Sequence, residues 1–281
     1  MNRLACRGVM LLAAFALAAC NESTAPGTDG TAIRFSAVAP SANDISAQAR
    51  AGSLILTGTN GTLQIDEMHV IVDRFELKRV DDDDCARMDS DCKRFRAGPM
   101  LLDLPLDGSG VIAVETPVDS GTYRRLKFKI EDLDHDDDYG RRHRRDDGDD
   151  DEHRRGHDDW EDRWPLILEL RRAIRAEFPD WPDDASILVI GTFTPTNGEP
   201  VAFKAYLEAE VDIEKRLVPP VTIDGGEDGG VFSVELDIAR IFQSGRGRVL
   251  DLSALDFERT GRVIDIEIEV EDNRVKVDYN R

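Results

Sequence analysis

Alternation of apolar and polar residues over residues 201–217 is the feature that most constrains how this chain can fold. Successive side chains of a β-strand point to opposite faces, so a repeat of two predicts a strand with one face buried and the other in water. The segment VAFKAYLEAEVDIEKRL places six apolar residues on one such face: Phe203, Ala205, Leu207, Ala209, Val211 and Ile213. The segment therefore predicts a long, half-buried strand.

A second segment, residues 117–130, shows the same pattern. Its end, LKFKI, alternates apolar residues with lysines after a turn that contains Pro and Gly, which predicts another half-buried strand. The dipeptides Asn60-Gly61 and Asn197-Gly198 are typical of tight turns between paired strands. Further strands are predicted at residues 54–56, 62–80, 95–106, 111–114, 187–194, 221–223, 231–236 and 264–277. Hairpins are expected over residues 221–236 and 264–277.

One segment follows a helical repeat instead. In LILELRRAIRAEF, residues 166–178, apolar residues recur at every fourth position, which predicts a short amphipathic helix that ends before Pro179. A helix over residues 261–270 is an alternative to a strand there, although its β-branched residues disfavour it. About eight or nine strands with one short inserted helix predict a mainly β fold, a single antiparallel β-sandwich. No second hydrophobic core is expected.

The first residues predict a lipoprotein signal. Arg3 and Arg7 precede an apolar run, residues 8–19, that is shorter than the roughly 20 residues of a membrane-spanning helix. The run ends in Leu-Ala-Ala-Cys20, which is typical of bacterial lipoproteins whose cysteine becomes the lipidated first residue. Asn21 favours the outer membrane, with the domain facing the periplasm or the surface. An ordinary signal peptide is the alternative. We therefore expect a bacterial envelope protein attached to the membrane through lipid on Cys20.

Composition divides the rest of the chain. Residues 20–50 are rich in Ser, Thr, Ala and Gly, which predicts a flexible tether before a β-sandwich domain over residues 51–281. Cys85 and Cys92 are the two cysteines that remain after signal removal and lipidation. Because an exported protein folds in an oxidising compartment, we predict a disulfide between them, with two free thiols as the alternative.

Several segments together resemble a group of uncharacterised bacterial lipoproteins. Besides the signal, they are AGSLILTGTNGTLQIDEMHVIVDRFEL, GPMLLDLPL, PVDSGTYRRLKFKI and SILVIGTFTPTNGEPVAFKAYLEAEVDIE, followed by PPVTID and VFSVELDIARIF. The family carries a domain of unknown function with a prealbumin-like (transthyretin-like) β-sandwich. The resemblance covers most of residues 50–243 and implies a fold and an envelope location. It implies no catalytic residues.

An acidic stretch, residues 131–164, interrupts this pattern. It contains 16 acidic and 7 basic residues and four of the five histidines. Its composition predicts a disordered insertion at about residues 132–163. Weak calcium or zinc binding is the alternative, and no other cofactor is expected. The candidate ligands are Asp134, Asp136, Asp138, Glu152, His153 and His157. The remaining histidine, His69, is predicted to be packed or at a strand edge rather than a ligand.

Charge and motifs limit the classes of function. A formal net charge of −21 argues against nucleic-acid binding, which requires clustered cations. The chain has no G-x-S-x-G, H-E-x-x-H, P-loop or dinucleotide glycine motif. We therefore predict a non-catalytic binding β-sandwich whose partner is another envelope protein or a polymer, reached through exposed strand edges. A cation-binding lipoprotein and an enzyme with an unrecognised site are the alternatives.

Overall fold

The computed structural model describes residues 31–38, 46–50, 52–80, 95–107, 111–116, 118–133, 157–223, 231–266 and 275–280. These residues form a mainly β sandwich with a helix on its outside, which confirms the predicted fold class. The sheets are mixed rather than purely antiparallel, because two strand pairs run parallel.

The elements follow in chain order. The strands are β1 (Thr31–Val38), β2 (Ser46–Arg50), β3 (Ser53–Gly58), β4 (Gly61–Arg79), β5 (Phe95–Ala97), β6 (Met100–Asp103), β7 (Val111–Thr116), β8 (Gly121–Ile130), β9 (Ile187–Pro195), β10 (Val201–Glu208), β11 (Val211–Ile223), β12 (Val231–Asp237), β13 (Gln243–Ser244), β14 (Arg248–Val249), β15 (Ile264–Asp265) and β16 (Val275–Asn280). The helices are α1 (His157–Glu177), α2 (Ile238–Ile241), a 3₁₀ turn (Leu252–Leu255) and α3 (Phe257–Thr260).

The long strand β4 organises the larger sheet. Along one edge it pairs first with β9 and then, beyond Ile71, with β8. Its other edge pairs in turn with β3, β6 and β5. β9 and β8 lie end to end along a single edge of β4. Their outer partners, β10 and β11, therefore also lie end to end, one strand further out. The sheet therefore has two arms, one of β9 and β10 and one of β8 and β11, which meet near the middle of β4.

Ser186 joins the two arms. It is fully buried, its carbonyl accepts from the N–H of Ile71 (2.8 Å) and its own N–H donates to the carbonyl of Leu207 (2.9 Å). Its hydroxyl donates to the carbonyl of Ala209 and accepts from the N–H of the same residue, both at 2.9 Å. The predicted strand over residues 201–217 is therefore present as β10 and β11, interrupted for two residues where Ser186 replaces a strand partner.

The smaller sheet has the order β16-β12-β1-β7 and covers the apolar face of the larger one. The ring centroids of Phe232 in β12 and Phe75 in β4 are 6.4 Å apart, and both side chains are fully buried in the shared core. Two strands, β1 and β2, lie inside the range that composition predicted as a tether. A short strand at Ile33 and Phe35 was the alternative to the tether, and β1 contains both residues. Its partner could not be predicted from composition, because β1 pairs in parallel with β12, which lies far along the chain.

Both predicted hairpins after residue 220 are wrong. β11 belongs to the larger sheet, whereas β12 pairs with β1 and β16 in the smaller one. Likewise β15 pairs in parallel with β10, and β16 pairs with β12. Alternation identified these segments as strands, and Ile264–Asp265 is a strand rather than a helix. Alternation carries no information on which strands are neighbours, so the pairing was assigned wrongly.

The helix α1 packs against the outer face of the larger sheet. Its Ile167 and Ile174 are buried with Ile71, Leu188 and Tyr206 of the sheet, in a second, smaller core that the sequence did not predict. The helix is also longer than predicted, because it begins at His157 and carries Pro165 in its interior. A Pro is common in the first turn of a helix, which is why the predicted start was placed too late. None of the described helices has the length and apolarity needed to cross a membrane.

Candidate functional site

Most residues that the sequence singled out lie outside the described part of the chain. These are Cys20, Cys85, Cys92, Asp134, Asp136, Asp138, Glu152 and His153. His157 is the first residue of α1, and its side chain is not among those described. Lipidation, the disulfide and the cation site therefore stay predictions. Within the described ranges, no three His, Cys, Asp or Glu side chains are placed to hold a metal ion.

The structure brings a different set of side chains together. They lie on the outer face of the part of the larger sheet that the second half of β4 forms with β5, β8 and β11. There β4, β5, β8 and β11 direct their apolar residues to the core, so the alternate residues form a charged face. Its members are Arg74, Glu76, Lys78, Arg96, Arg125, Lys127, Lys129, Asp212 and Glu214. The helix α1 covers only the neighbouring part of this face, through Ile71 and Leu188.

Charges of opposite sign alternate in one row across the charged face, whereas in the neighbouring rows Arg74 lies opposite Lys129 and Lys78 lies opposite Arg125. In the strand register, Glu76 of β4 lies opposite Lys127 of β8, which lies opposite Glu214 of β11. On the other side of β4, the Nε of Arg96 is 3.0 Å from Oε1 of Glu76. The row across four strands therefore reads cation, anion, cation, anion, with Glu214 at the outer end.

The ion pairs of the outer strand bind it to β8. Arg125 Nη1 lies 2.7 Å from Oε1 of Glu214, and Lys127 Nζ lies 2.8 Å from Oδ2 of Asp212. Lys78 Nζ approaches Oε2 of Glu214 to 3.6 Å. Partial burial raises the pKa of Glu214, but the hydrogen bond from Arg125 and the three nearby cations outweigh it, so its pKa lies below the ordinary value. Glu214 is therefore a fixed negative charge at neutral pH.

The inner end of the charged face is attached to α1. Asp73 of β4 is buried and forms an ion pair with Arg163 of the helix. Arg74 lies between Asp73 (3.8 Å) and Glu76 (3.5 Å). Because a buried carboxylate is costly unless it is paired, these contacts fix the position of the helix relative to β4.

The outer edge of the sheet is closed along β10. Leu207 and Glu208 pair with β15, and the N–H of Ile266 donates to the carbonyl of Glu208 at 2.9 Å. Further along, the backbone N–H of Lys204 donates to the side chain of Asp256 at 3.0 Å. Covering of this kind is how proteins keep an edge from pairing with other chains.

The described strands leave the same edge without a partner along β11. Among the strands that the structure describes, β8 is the only partner of β11, although β11 is 13 residues long. The carboxylates of Glu210, Asp212 and Glu214 follow at alternate positions beside this edge, and their side chains are 67%, 45% and 40% exposed. Beyond them, Val218 is 81% exposed. A strand edge and a row of exposed charges thus lie together.

A separate polar group surrounds His69, which is buried as predicted. Its Nε2 has no hydrogen-bond partner among the described residues and lies 3.7 Å from a carboxylate oxygen of Glu67, and its Nδ1 lies 4.0 Å from one of Asp103. Its ring is 4.7 Å from that of Phe178, just after α1. Glu67 lies two positions before His69 on the same strand, whereas Asp103 reaches it only through the pairing of β4 with β6, which the sequence did not show.

Asp180 fastens the segment that follows α1 to β10. Both of its oxygens accept from Lys204 Nζ at 2.7 Å, and Oδ1 also accepts from the hydroxyl of Tyr206 at 3.1 Å. Burial raises the pKa of Asp180, but these bonds outweigh it and hold the pKa below its ordinary value. Burial also raises the pKa of Tyr206, and the negative charge of Asp180 raises it further.

No family model, curated protein or solved structure matches this chain. The resemblance to lipoproteins with a prealbumin-like domain therefore stays a prediction.

Proposed function

We propose that this protein is a binding module of the bacterial cell envelope. It is held at the outer membrane by lipid on Cys20 and recognises an extended segment of another envelope protein, which adds as a strand to β11. The observation that carries the proposal is the difference between two halves of one sheet edge. That edge is covered along β10, whereas no described strand covers it along β11.

Strand addition suits an edge of this kind. An uncovered edge presents backbone N–H and C=O groups, which an extended peptide satisfies while its alternate side chains enter the spaces beside the sheet. Two features limit unspecific pairing at β11. Its exposed residues up to Arg216 are charged, and Pro219 and Pro220 interrupt its register with β8. Charges and prolines are devices that keep edges from pairing indiscriminately, so they favour a specific partner.

Binding rather than catalysis accounts best for the charged face. Its carboxylates are held by cations of neighbouring strands, as Asp212 is by Lys127 and Glu214 is by Arg125. Such ladders fix charges in place and complement a charged partner. A general base, in contrast, needs a pKa near the working pH, whereas the pKa of Glu214 is held low.

The anchoring half of the proposal rests on residues 1–21 and has its own test. Cells that express the full chain or its Cys20→Ala variant are labelled with an alkyne analogue of palmitate, and the purified proteins are compared. We expect label on the wild type and its absence on Cys20→Ala, together with loss of the variant from the outer-membrane fraction. Equal labelling of both proteins would contradict lipidation at Cys20.

The proposed addition of a partner strand to β11 is tested by photo-cross-linking in living cells. A photoreactive amino acid is placed at Asp212, on the exposed side of β11, and in a matched control at Glu199, on the exposed turn between β9 and β10. We expect a discrete cross-linked product of higher mass from position 212 that position 199 does not give. If both positions give the same products, or neither gives any, β11 is not the contact.

A further inference from the structure

We infer that the segment that β11 receives is one in which basic residues alternate with apolar residues over about eight positions. The inference rests on the proposed function and specifies the partner. Three observations carry it: the order of charges in the row that ends at Glu214, the exposure of the carboxylates at the edge, and the burial of Val211 and Ile213 between them.

The order of charges sets the sign of the next strand. The row Arg96, Glu76, Lys127, Glu214 alternates at every step and ends in a carboxylate at the open edge. Opposite charges placed directly across from each other stabilise a strand pair, and like charges destabilise it. A fifth strand in this row therefore presents a cation opposite Glu214.

The requirement for a cation in the added strand repeats along the edge of β11. Glu210, Asp212 and Glu214 face the same side at every second position, so an added strand meets three carboxylates in succession. Each is exposed by 40% or more, so a second cation can reach it. Arg216 follows at the next alternate position, where the added strand instead meets a positive charge. The added segment thus presents three basic residues at alternate positions and an acidic or neutral residue at one end.

The core-facing side of β11 determines which residues stand between the basic residues of the added segment. One residue on this side, Lys215, is half-buried and has a partner of its own. Val211, Ile213 and Leu217 point to the core and are all buried, at the margin of the main apolar cluster. The neighbouring positions of an added strand lie beside them, where an apolar side chain extends the core and a charged one is desolvated. Beside residues 210–214, alternation of basic and apolar residues follows from these two faces together.

The length of the site follows from its ends. Towards one end, Ala209 is bonded to Ser186 and the edge of β10 begins to be covered. Towards the other, Pro219 has no N–H to offer, and the register of β11 with β8 shifts after Arg216. Among the described residues, the edge without a strand partner therefore extends over residues 210–217.

Synthetic peptides test the inference on the purified full chain by calorimetric titration at low salt. The probes are an eight-residue peptide of alternating Val and Lys, its counterpart of alternating Val and Glu, and a peptide with the Lys and Val residues in two blocks. We expect the alternating basic peptide to bind at least about tenfold more tightly than either of the other two. Equal binding of the alternating and block peptides would overturn the inference, because charge alone would then explain it.

A charge reversal locates the binding. In the double variant Asp212→Lys/Glu214→Lys, we expect the preference to invert, with the Glu peptide bound more tightly than the Lys peptide. The control Glu199→Lys/Asp184→Lys makes the same change of charge at exposed positions elsewhere and should keep the wild-type preference. If the reversal impairs folding, Asp212→Asn/Glu214→Gln must abolish the preference instead. An unchanged preference in the edge variants overturns the inference.

The outcomes separate the two proposals. A cross-link at position 212 without any preference among the peptides leaves the proposed function standing and overturns the alternating basic and apolar partner. A concentration-dependent dimer that the charge reversal abolishes would also overturn it, because the occupant of β11 would then be a second copy of this chain.

Discussion

The side-chain amide of Asn60 forms two hydrogen bonds with the backbone of Val249, which lies 189 positions further along the chain. It donates to the carbonyl and accepts from the N–H, both at 2.9 Å. Next to it, the N–H of Thr59 donates to the carbonyl of Gly247 at 2.8 Å. Asn60 thus imitates a strand partner and fastens the turn between β3 and β4 to the small hairpin of β13 and β14.

Replacement of Asn60 should therefore lower the free energy of unfolding by more than replacement of a residue that only forms a turn. We expect Asn60→Ala to lower the free energy of unfolding by about 2 kcal/mol, because it leaves both backbone groups of Val249 without these partners. Asn197→Ala is the control, since Asn197 occupies the exposed turn between β9 and β10. Chemical denaturation measures both. Equal losses would show that the bonds to Val249 do not stabilise the fold.

The ion pair between Arg163 and Asp73 should hold α1 on the sheet. Arg163→Met keeps much of the side-chain volume but leaves the buried carboxylate of Asp73 with only Arg74, at 3.8 Å, among the cations of the described residues. We expect a loss of about 3 kcal/mol in the free energy of unfolding. Arg172→Met, on the exposed side of the same helix, should change it by less than about 0.5 kcal/mol. Similar effects of the two substitutions in thermal unfolding would contradict this role.

Stability should fall in acid, and Asp180 should account for part of the fall. A carboxylate with a pKa lower in the folded than in the unfolded chain stabilises the fold above its ordinary pKa, and this contribution is lost as the pH falls through the folded value. We therefore expect Asp180→Asn to lose less stability than the wild type between pH 6 and pH 3, roughly the window in which aspartates titrate.

Denaturant unfolding at several pH values measures the difference. Glu177→Gln removes an exposed carboxylate at the end of α1 and serves as the control, which should follow the wild type. Parallel curves for Asp180→Asn and the wild type would show that the bonds from Lys204 and Tyr206 do not depend on the charge of Asp180.

The faces of the strands could be predicted from the sequence, because burial imposes a repeat of two on each strand by itself. The six apolar residues from Phe203 to Ile213 are all buried, as the alternation predicted. The neighbours of each strand could not be predicted in this way. That β1 pairs with β12, and that β11 lies beside β8, depends on contacts between residues far apart in sequence.

The charged face escaped prediction for the same reason. Glu76, Lys127 and Glu214 each read as a polar residue on the solvent face of a strand, and only the register places them in one row. The acidic stretch drew attention because its charges are consecutive, whereas those of the charged face are dispersed among apolar residues. A search for alternating charged positions on segments already predicted as strands would have found its members but not their order.

Hydrogen exchange at β11 tests strand addition most directly. The exchange of the backbone amides of residues 211–217 is measured in the free protein and in the cross-linked complex recovered through position 212, with β10 as the internal reference. If the partner adds as a strand, the outward-facing amides of β11 become protected by about a hundredfold or more while those of β10 do not change. If the β11 amides exchange equally fast in both, the partner binds without strand pairing, and strand addition to β11 is not how this protein functions.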